Sequence, residues 1–237
     1  MEYYFTDDSN IKPHERSLYI KGEESKHLTK VLRKKVGDKI DVTDGKLNVY
    51  KCTIQSIHPG IIECEILSSE YNINEPEKDV TVYFALLKSM DRYEFGVEKL
   101  IEVGVKKIIP LITERTIVKE PLSKNKLIRL NKIILSAVSQ SQRCFLPMIS
   151  DTIDIKNIEG EKDSANIFMY EFAPSENVIP SISQKKVNVI IGPEGGFTEQ
   201  EAQNLSKRNW KPYSLGKRKY RAETAAIVAA SKIIDLK

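Results

Sequence analysis

Apolar and polar residues alternate along much of positions 1–70, and the rhythm then changes to buried strands separated by amphipathic helices. Asp38-Lys39-Ile40-Asp41-Val42-Thr43 reads as a strand, Asp44-Gly45 as a strong hairpin turn, and 46–57 as the returning strand. Pro59-Gly60 closes that run, and 61–67 predicts a further strand. One helix interrupts, over about 23–35. Leu28, Val31 and Leu32 share its expected buried side, while Lys26, Lys30, Arg33 and Lys34 gather on the opposite face. A small β-barrel with one basic helix suits a binder of the RNA backbone.

From Val80 the pattern predicts a different architecture. Residues 80–86 form an apolar run, Met90, Tyr93, Val97, Leu100 and Ile101 fall at helical spacing, Gly104 closes that helix, and 107–112 is the next strand. Leu127, Leu130, Ile134 and Ala137 mark another helix, and strands are expected at 166–170 and around Val187 and Ser214. Strands alternating with helices predict an α/β domain with a parallel sheet covered on both faces. The polar, proline-bearing stretch 68–79 separates the two rhythms. The expected division is therefore a β domain over 1–70, a linker over 71–79 and an α/β domain over 80–237.

Two loops concentrate the chemistry. The apolar run 187–191 ends in Gly192-Pro193-Glu194-Gly195-Gly196-Phe197, and Thr198-Glu199-Gln200-Glu201 then has the form of a helix-opening capping box. Strand, glycine loop and helix leave free backbone amides for a ligand. The second loop, from Leu215 to Ala225, runs from a glycine turn into an alanine-rich helix. Neither loop is G-x-G-x-x-G, and no G-x-x-x-x-G-K-[ST] occurs. A net charge of only +4 conceals a local excess: Lys207, Arg208, Lys211, Lys217, Arg218, Lys219 and Arg221 lie between Glu201 and Glu223 with no acidic residue among them. That run suits a phosphate-bearing substrate.

Other chemistries are narrowed by what is missing. His14, His27 and His58 all fall in the first quarter, so the two loops have no imidazole for a triad or a metal. Carboxylates, lysine, arginine, backbone amides and a cofactor must carry any reaction there. Cys52, Cys64 and Cys144 form no CxxC and are expected as reduced, buried thiols. A hydrophobic fraction of 41% against 30% charged residues describes a soluble globular protein. No long apolar run and no signal-like start are present, so a cytoplasmic location with no membrane or metal partner is expected.

Together, "IGPEGGFTEQE" and "LGKRKYRAETAA" resemble the paired signature of the small-subunit (16S) ribosomal RNA uridine-N3 methyltransferases of the SPOUT class. Three further blocks share the resemblance: "HLTKVLRKKVGDKIDVTDG", similar to that family's PUA-like domain, "LLKSMDRYEFGVEKLIEVGVKKIIPLITERTIV" and "QSQRCFLPMI". The resemblance implies an N-terminal PUA-like β-barrel and a C-terminal SPOUT α/β domain with a parallel sheet and a deep trefoil knot. It also implies S-adenosylmethionine as cofactor, a homodimer, and 16S rRNA or the small ribosomal subunit as partner.

Carried over position by position, the resemblance places the cofactor on Ile191, Gly192, Glu194, Gly195 and Gly196 of the first loop. From the second loop it adds Leu215, Gly216, Tyr220, Thr224 and Ala225. Uridine N3 carries a proton at neutral pH and lies on the pairing edge, so the base must be unpaired and deprotonated before it attacks. Arg221 is the expected stabiliser of the uridine anion, and Glu223 is either a base or the ion-pair partner of Arg221. Arg143 is a candidate substrate contact by resemblance alone. Lys26, Lys30, Arg33, Lys34 and Arg218 are expected to meet RNA, and Ala222, Ala225, Ala226, Ala229 and Ala230 to offer a small-residue surface to a second subunit. Two departures stand out. Ser139 and Gln142 replace a common glutamate and glycine, and Lys219-Tyr220 replaces a usual aliphatic pair. A ribose 2′-O-methyltransferase of the same class and a non-catalytic RNA-binding module are the competing readings.

Overall fold

The structure is a computed structural model that describes residues 2–174, 179 and 182–235. The chain divides into two compact units, Met1–Glu75 with Leu135–Leu146, and Pro76–Ile134 with Pro147–Lys237.

The first unit is built on β1 (Tyr3–Phe5), β2 (Ile11–Lys12), β3 (Ser17–Lys21), α1 (Gly22–Lys26), β4 (Lys39–Thr43), β5 (Asn48–His58) and β6 (Ile61–Tyr71). Its sheet runs in the order β1-β4-β5-β6-β3-β2, antiparallel except for the β1–β4 pair. The sheet curls: the Thr6 hydroxyl, just past β1, donates to the Tyr19 carbonyl in β3 at 2.6 Å. Alternating Leu18, Ile20, Ile40, Val42, Cys52, Ile54, Ile62 and Cys64 turn inward to make its core with Leu28. Burial pushes the Cys64 thiol up to about 12 and raises Cys52 further, so both stay protonated and inert.

Residues 135–146 group with this unit rather than with the α/β domain expected over 80–237. Backbone bonds explain it: Leu47 N donates to the Cys144 carbonyl at 2.9 Å and Leu146 N to the Gly45 carbonyl at 2.9 Å. The strand β6 also continues to Tyr71, leaving 72–78 as the connecting stretch.

The helix expected over 23–35 is shorter. After α1 the chain widens into a π-turn over His27–Val31, and Arg33 at φ 53° has already left the helix. Only Leu28 is buried, while Val31 is 65% and Leu32 38% exposed. The wider turn rotates the later positions away from the face that Leu28 defines, so the three do not form one buried stripe.

The second unit holds β7 (Asp79–Ala85), α2 (Met90–Glu102), β8 (Lys107–Ile112), α3 (Lys124–Gln140, whose last residues belong to the first unit), β9 (Met148–Ile149) and β10 (Ile153–Asp154). It continues with β11 (Ala165–Met169), β12 (Lys186–Ile191), α4 (Glu199–Lys207), β13 (Lys211–Tyr213) and α5 (Ala222–Asp235). The sheet order is β10-β8-β7-β12-β11-β13, with β9 beside β8, and every pairing is parallel. Trp210 is fully buried beneath α4 and meets Tyr83 edge-on at 5.4 Å. α2 lies against α5, and Gly96 permits the approach: a Cβ there would come within 2.8 Å of Phe84 and 3.4 Å of Glu223. The central strand β12 delivers the first glycine loop, and β13 the second, at the carboxyl edge of the sheet, where open α/β sheets hold their ligands. Among the described residues no helix is long and apolar enough to cross a membrane.

Candidate active site

A cleft of about 730 Å³ opens at the carboxyl ends of β11, β12 and β13. The first loop contributes Ile191, Gly192, Glu194 and Gly196 to its wall, and the second contributes Leu215, Gly216, Tyr220 and Ala225. Arg218 and Arg221 stand on the same wall. The first loop is held by the capping box expected from the sequence: the Thr198 hydroxyl accepts Glu201 N at 3.1 Å, and Glu201 accepts Thr198 N at 2.9 Å.

Two expected cofactor residues do not line this cleft. Thr224 sits on an exposed side of the first turn of α5. Gly195 faces away: its Cβ direction meets the Arg115 side chain at 3.2 Å, and its carbonyl accepts Arg115 Nη1 at 2.8 Å. Gly196 is the glycine that needs its freedom, with φ +65° and a Cβ direction 3.4 Å from a Glu171 carboxylate oxygen. Gly196→Ala should strain the loop and lower cofactor affinity, roughly tenfold for 1–2 kcal/mol of left-handed strain, in calorimetric titration. The far-ultraviolet dichroism should be unchanged, and wild-type affinity would remove the loop from the cofactor site.

The residue that joins the loops is Arg92, in the first turn of α2. Its Nε and Nη2 donate to the two Glu223 oxygens at 3.0 and 2.5 Å, and its Nη1 reaches Glu194 Oε1 at 3.2 Å. One guanidinium therefore ties the first loop to α5. Glu223 is 6% exposed, and the Arg92 hydrogen bonds hold its carboxyl below the usual carboxylate range. The Arg221–Glu223 ion pair is not formed; Arg221 is exposed and reaches Glu223 only through its field. Sequence reasoning passed over Arg92 because it lies 131 residues from Glu223 and 102 from Glu194. Its only signal was its place in the block around Met90-Asp91-Arg92-Tyr93.

The Lys219-Tyr220 departure makes a polar rim. Tyr220 Oη accepts Arg218 Nη2 at 3.2 Å, and Lys219 pairs with Glu171 at 3.4 Å. Arg143 belongs to the first unit and is closed to solvent at 2% exposure. Its fork rests on Glu75 at 2.7 and 3.2 Å, and Glu75 also accepts the amides of Cys144 and Phe145 at 3.1 Å each. Burial of this kind suits a residue that fixes the 143–145 turn, not one that touches substrate. Gln142, where a glycine is common, takes φ 56°, the left-handed conformation a glycine adopts freely. Lys26, Lys30 and Arg33 are exposed, Lys34 is half-buried, and Lys26 is paired with Glu23 at 2.7 Å. Of the alanines offered as a subunit surface, Ala222, Ala226, Ala229 and Ala230 are buried within the subunit itself, in the helix that lies against α2, β7 and β12. Among the described residues no group of three or more His, Cys, Asp or Glu could hold a metal ion.

The cleft fits an adenosyl sulfonium ligand. Gly196 and Gly216, both at positive φ, leave main chain open to a nucleoside, and Ile191 and Leu215 supply apolar wall.

Comparison with known proteins agrees. The RNA methyltransferase domain family matches residues 74–234, and the RNA methyltransferase PUA domain family matches 20–67. The ribosomal RNA small subunit methyltransferase E of Mesomycoplasma hyopneumoniae is 34% identical over 74% of this chain and 78% of its own. Its counterpart from Bacillus subtilis is 28% identical over 98% of this chain and 96% of its own. The structure of ribosomal RNA small subunit methyltransferase E from Neisseria gonorrhoeae bound to S-adenosyl methionine aligns with a TM-score of 0.88 at 27% identity, covering 98% of this chain and 96% of that one. By its α/β unit, its glycine-walled cleft and this match over most of its length, the chain belongs to the RNA methyltransferase domain family, with the PUA domain that accompanies it.

Proposed function

We propose that the protein transfers a methyl group from S-adenosylmethionine to N3 of a uridine in 16S rRNA of the small ribosomal subunit. The observation that carries this reading is the cleft at the carboxyl edge of the parallel sheet, with both glycine loops and three arginines, Arg92, Arg218 and Arg221, on its wall. When bound, S-adenosylmethionine supplies an electrophilic methyl group, and the protein supplies orientation and electrostatics. Ile191, Gly192, Glu194 and Gly196 with Leu215, Gly216, Tyr220 and Ala225 would hold it. Arg221, exposed on the wall, would hydrogen-bond a uracil oxygen and stabilise the anion left as N3 gives up its proton. Glu223 is a poor base, because Arg92 keeps it ionised and lowers its proton affinity. Its role is to anchor Arg92 and, through Arg92, the first loop.

Calorimetric titration with S-adenosylmethionine separates this reading from a non-catalytic RNA-binding module. Micromolar binding, followed by passage of labelled methyl to 16S rRNA, is expected, and absence of binding would contradict an enzyme of this type. The resemblance also supports a homodimer and the knotted path of the second unit. Most of the α5 alanines are buried inside the subunit, so the alanine stripe would not by itself form the dimer contact. A monomeric sedimentation boundary at micromolar concentration would contradict the dimer.

The basic turn of the first unit supports contact with the RNA backbone. Reversing charge at Lys30 and Arg33 should weaken RNA binding and flatten its salt dependence, by about one unit of log–log slope for each phosphate no longer neutralised. Cofactor affinity should not change, and an unaltered salt slope would reduce this turn to a solvated face.

A further inference from the structure

A second cleft, of about 840 Å³, lies in the same unit between α4 and the ends of β11 and β13. A ladder of rings leads from the core to its mouth. Phe197 meets Phe168 edge-on at 6.0 Å, Phe168 meets Tyr170 at 5.8 Å, and Tyr170 meets Phe172 at 5.5 Å and 72°. Phe168 and Phe197 are buried, but Phe172 is 69% exposed. The ladder therefore ends in a ring whose face is open on this wall. Two cations stand on the same wall, Arg115 and Lys207. Arg115 is fixed there by its bond to the Gly195 carbonyl. Glu199, the acidic residue on this wall, is engaged by Gln203 Nε2 at 3.2 Å. Finally, the two clefts are neighbours, since Tyr170 and Phe197 line both.

We propose that this second cleft stacks an unpaired nucleobase next to the methylated one, with Phe172 and Tyr170 offering ring faces and Arg115 and Lys207 facing the flanking phosphates. This assignment rests on the reading of the protein as an RNA methyltransferase. Aromatic faces interleaved with cations match single-stranded nucleic acid, whose bases stack without regard to sequence and whose backbone is anionic. An apolar protein segment would use the rings but leave Arg115 and Lys207 without partners of opposite charge. Holding a neighbouring base here would keep the strand unpaired while the target uridine occupies the first cleft, which an attack at N3 requires.

Phe172 is the residue to vary, because it is exposed and does not line the cofactor cleft. A short fluorescein-labelled single-stranded RNA, read by anisotropy at low salt, reports binding independently of methyl transfer. Phe172→Ala and Phe172→Leu should each weaken binding roughly tenfold, and Phe172→Trp should bind at least as tightly as the wild type. S-adenosylmethionine affinity should be the same in all of them. Full binding by Phe172→Leu would mean that apolar cover, not stacking, is what the site requires, and would overturn the proposal. Unaltered binding by Phe172→Ala, or no binding by the wild type, would do the same. A shift of Phe172→Ala to a monomeric sedimentation boundary would assign the cleft to a second copy of the chain instead. Failure of the methyltransferase reading itself would show separately, as absence of methyl transfer to 16S rRNA by the wild type.

Discussion

Arg221→Ala is expected to lower kcat by roughly a hundredfold or more, the scale of a lost oxyanion donor, while S-adenosylmethionine affinity changes little. The reason lies in where the guanidinium stands. It is exposed on the wall of the cleft, and the carboxylate nearest in sequence, Glu223, is already taken by Arg92. Its charge is therefore available to the substrate, and a guanidinium remains protonated throughout the accessible pH range. In the proposed role the interaction strengthens only as N3 loses its proton, so it belongs to the transition state, and its loss falls on kcat. Arg221→Lys should recover part of the rate, because a point charge replaces a planar fork. Turnover measured at saturating rRNA checks this, and a near-normal rate for the alanine variant would remove Arg221 from the reaction.

Arg92→Ala should damage both stability and cofactor binding. It removes two charge-assisted hydrogen bonds from Glu223, whose side chain is 8% exposed, and one from Glu194. Losing a bond to a charged group costs about 1.5–3 kcal/mol in a buried setting, and the one-third exposure of Arg92 screens the three together to about the cost of one such bond. A melting temperature several degrees lower is expected. Releasing Glu194 frees the first loop, so cofactor affinity should fall at least tenfold, on the order of a lost charged hydrogen bond. The pH dependence has a definite sign. In the wild type the Glu223 carboxyl is held below its ordinary value of 4.5, so the stabilisation is complete above that pH and is lost as pH falls through the lowered value. The gap in melting temperature between wild type and Arg92→Ala should thus be widest near neutrality and close on acidification. Adding Glu223→Gln to Arg92→Ala should restore part of the stability, because the unpaired buried charge is gone.

The first loop and α4 were legible because every signal lies within one short stretch: an apolar run, glycines that stop it, and a capping box spanning four residues. The parallel sheet followed from strands alternating with helices at ordinary spacing. What sequence could not disclose was tertiary. Spacing does not show which of two adjacent glycines lines the cleft or which takes a positive φ; in the fold Gly196 does both and Gly195 neither. A basic residue on an amphipathic helix is ordinarily solvated, so nothing marked Arg92 as the link between loops far along the chain. Likewise an alanine stripe fits equally inside a subunit or between two, and in α5 it is mainly packed inside. Arg143 is a similar case, since only the folded chain brings Glu75 under its fork. The π-turn after α1 shows the limit of periodicity itself, because one extra residue in a turn moves Val31 and Leu32 out to solvent.

The most direct measurement is nucleoside analysis of 16S rRNA, taken from cells lacking this protein and incubated with it and methyl-labelled S-adenosylmethionine. Digestion to nucleosides should place the label in N3-methyluridine, with Arg221→Ala yielding far less of it in the same time. Label in a 2′-O-methyl nucleoside, or none in the rRNA, would contradict the assignment of the cleft to uridine N3.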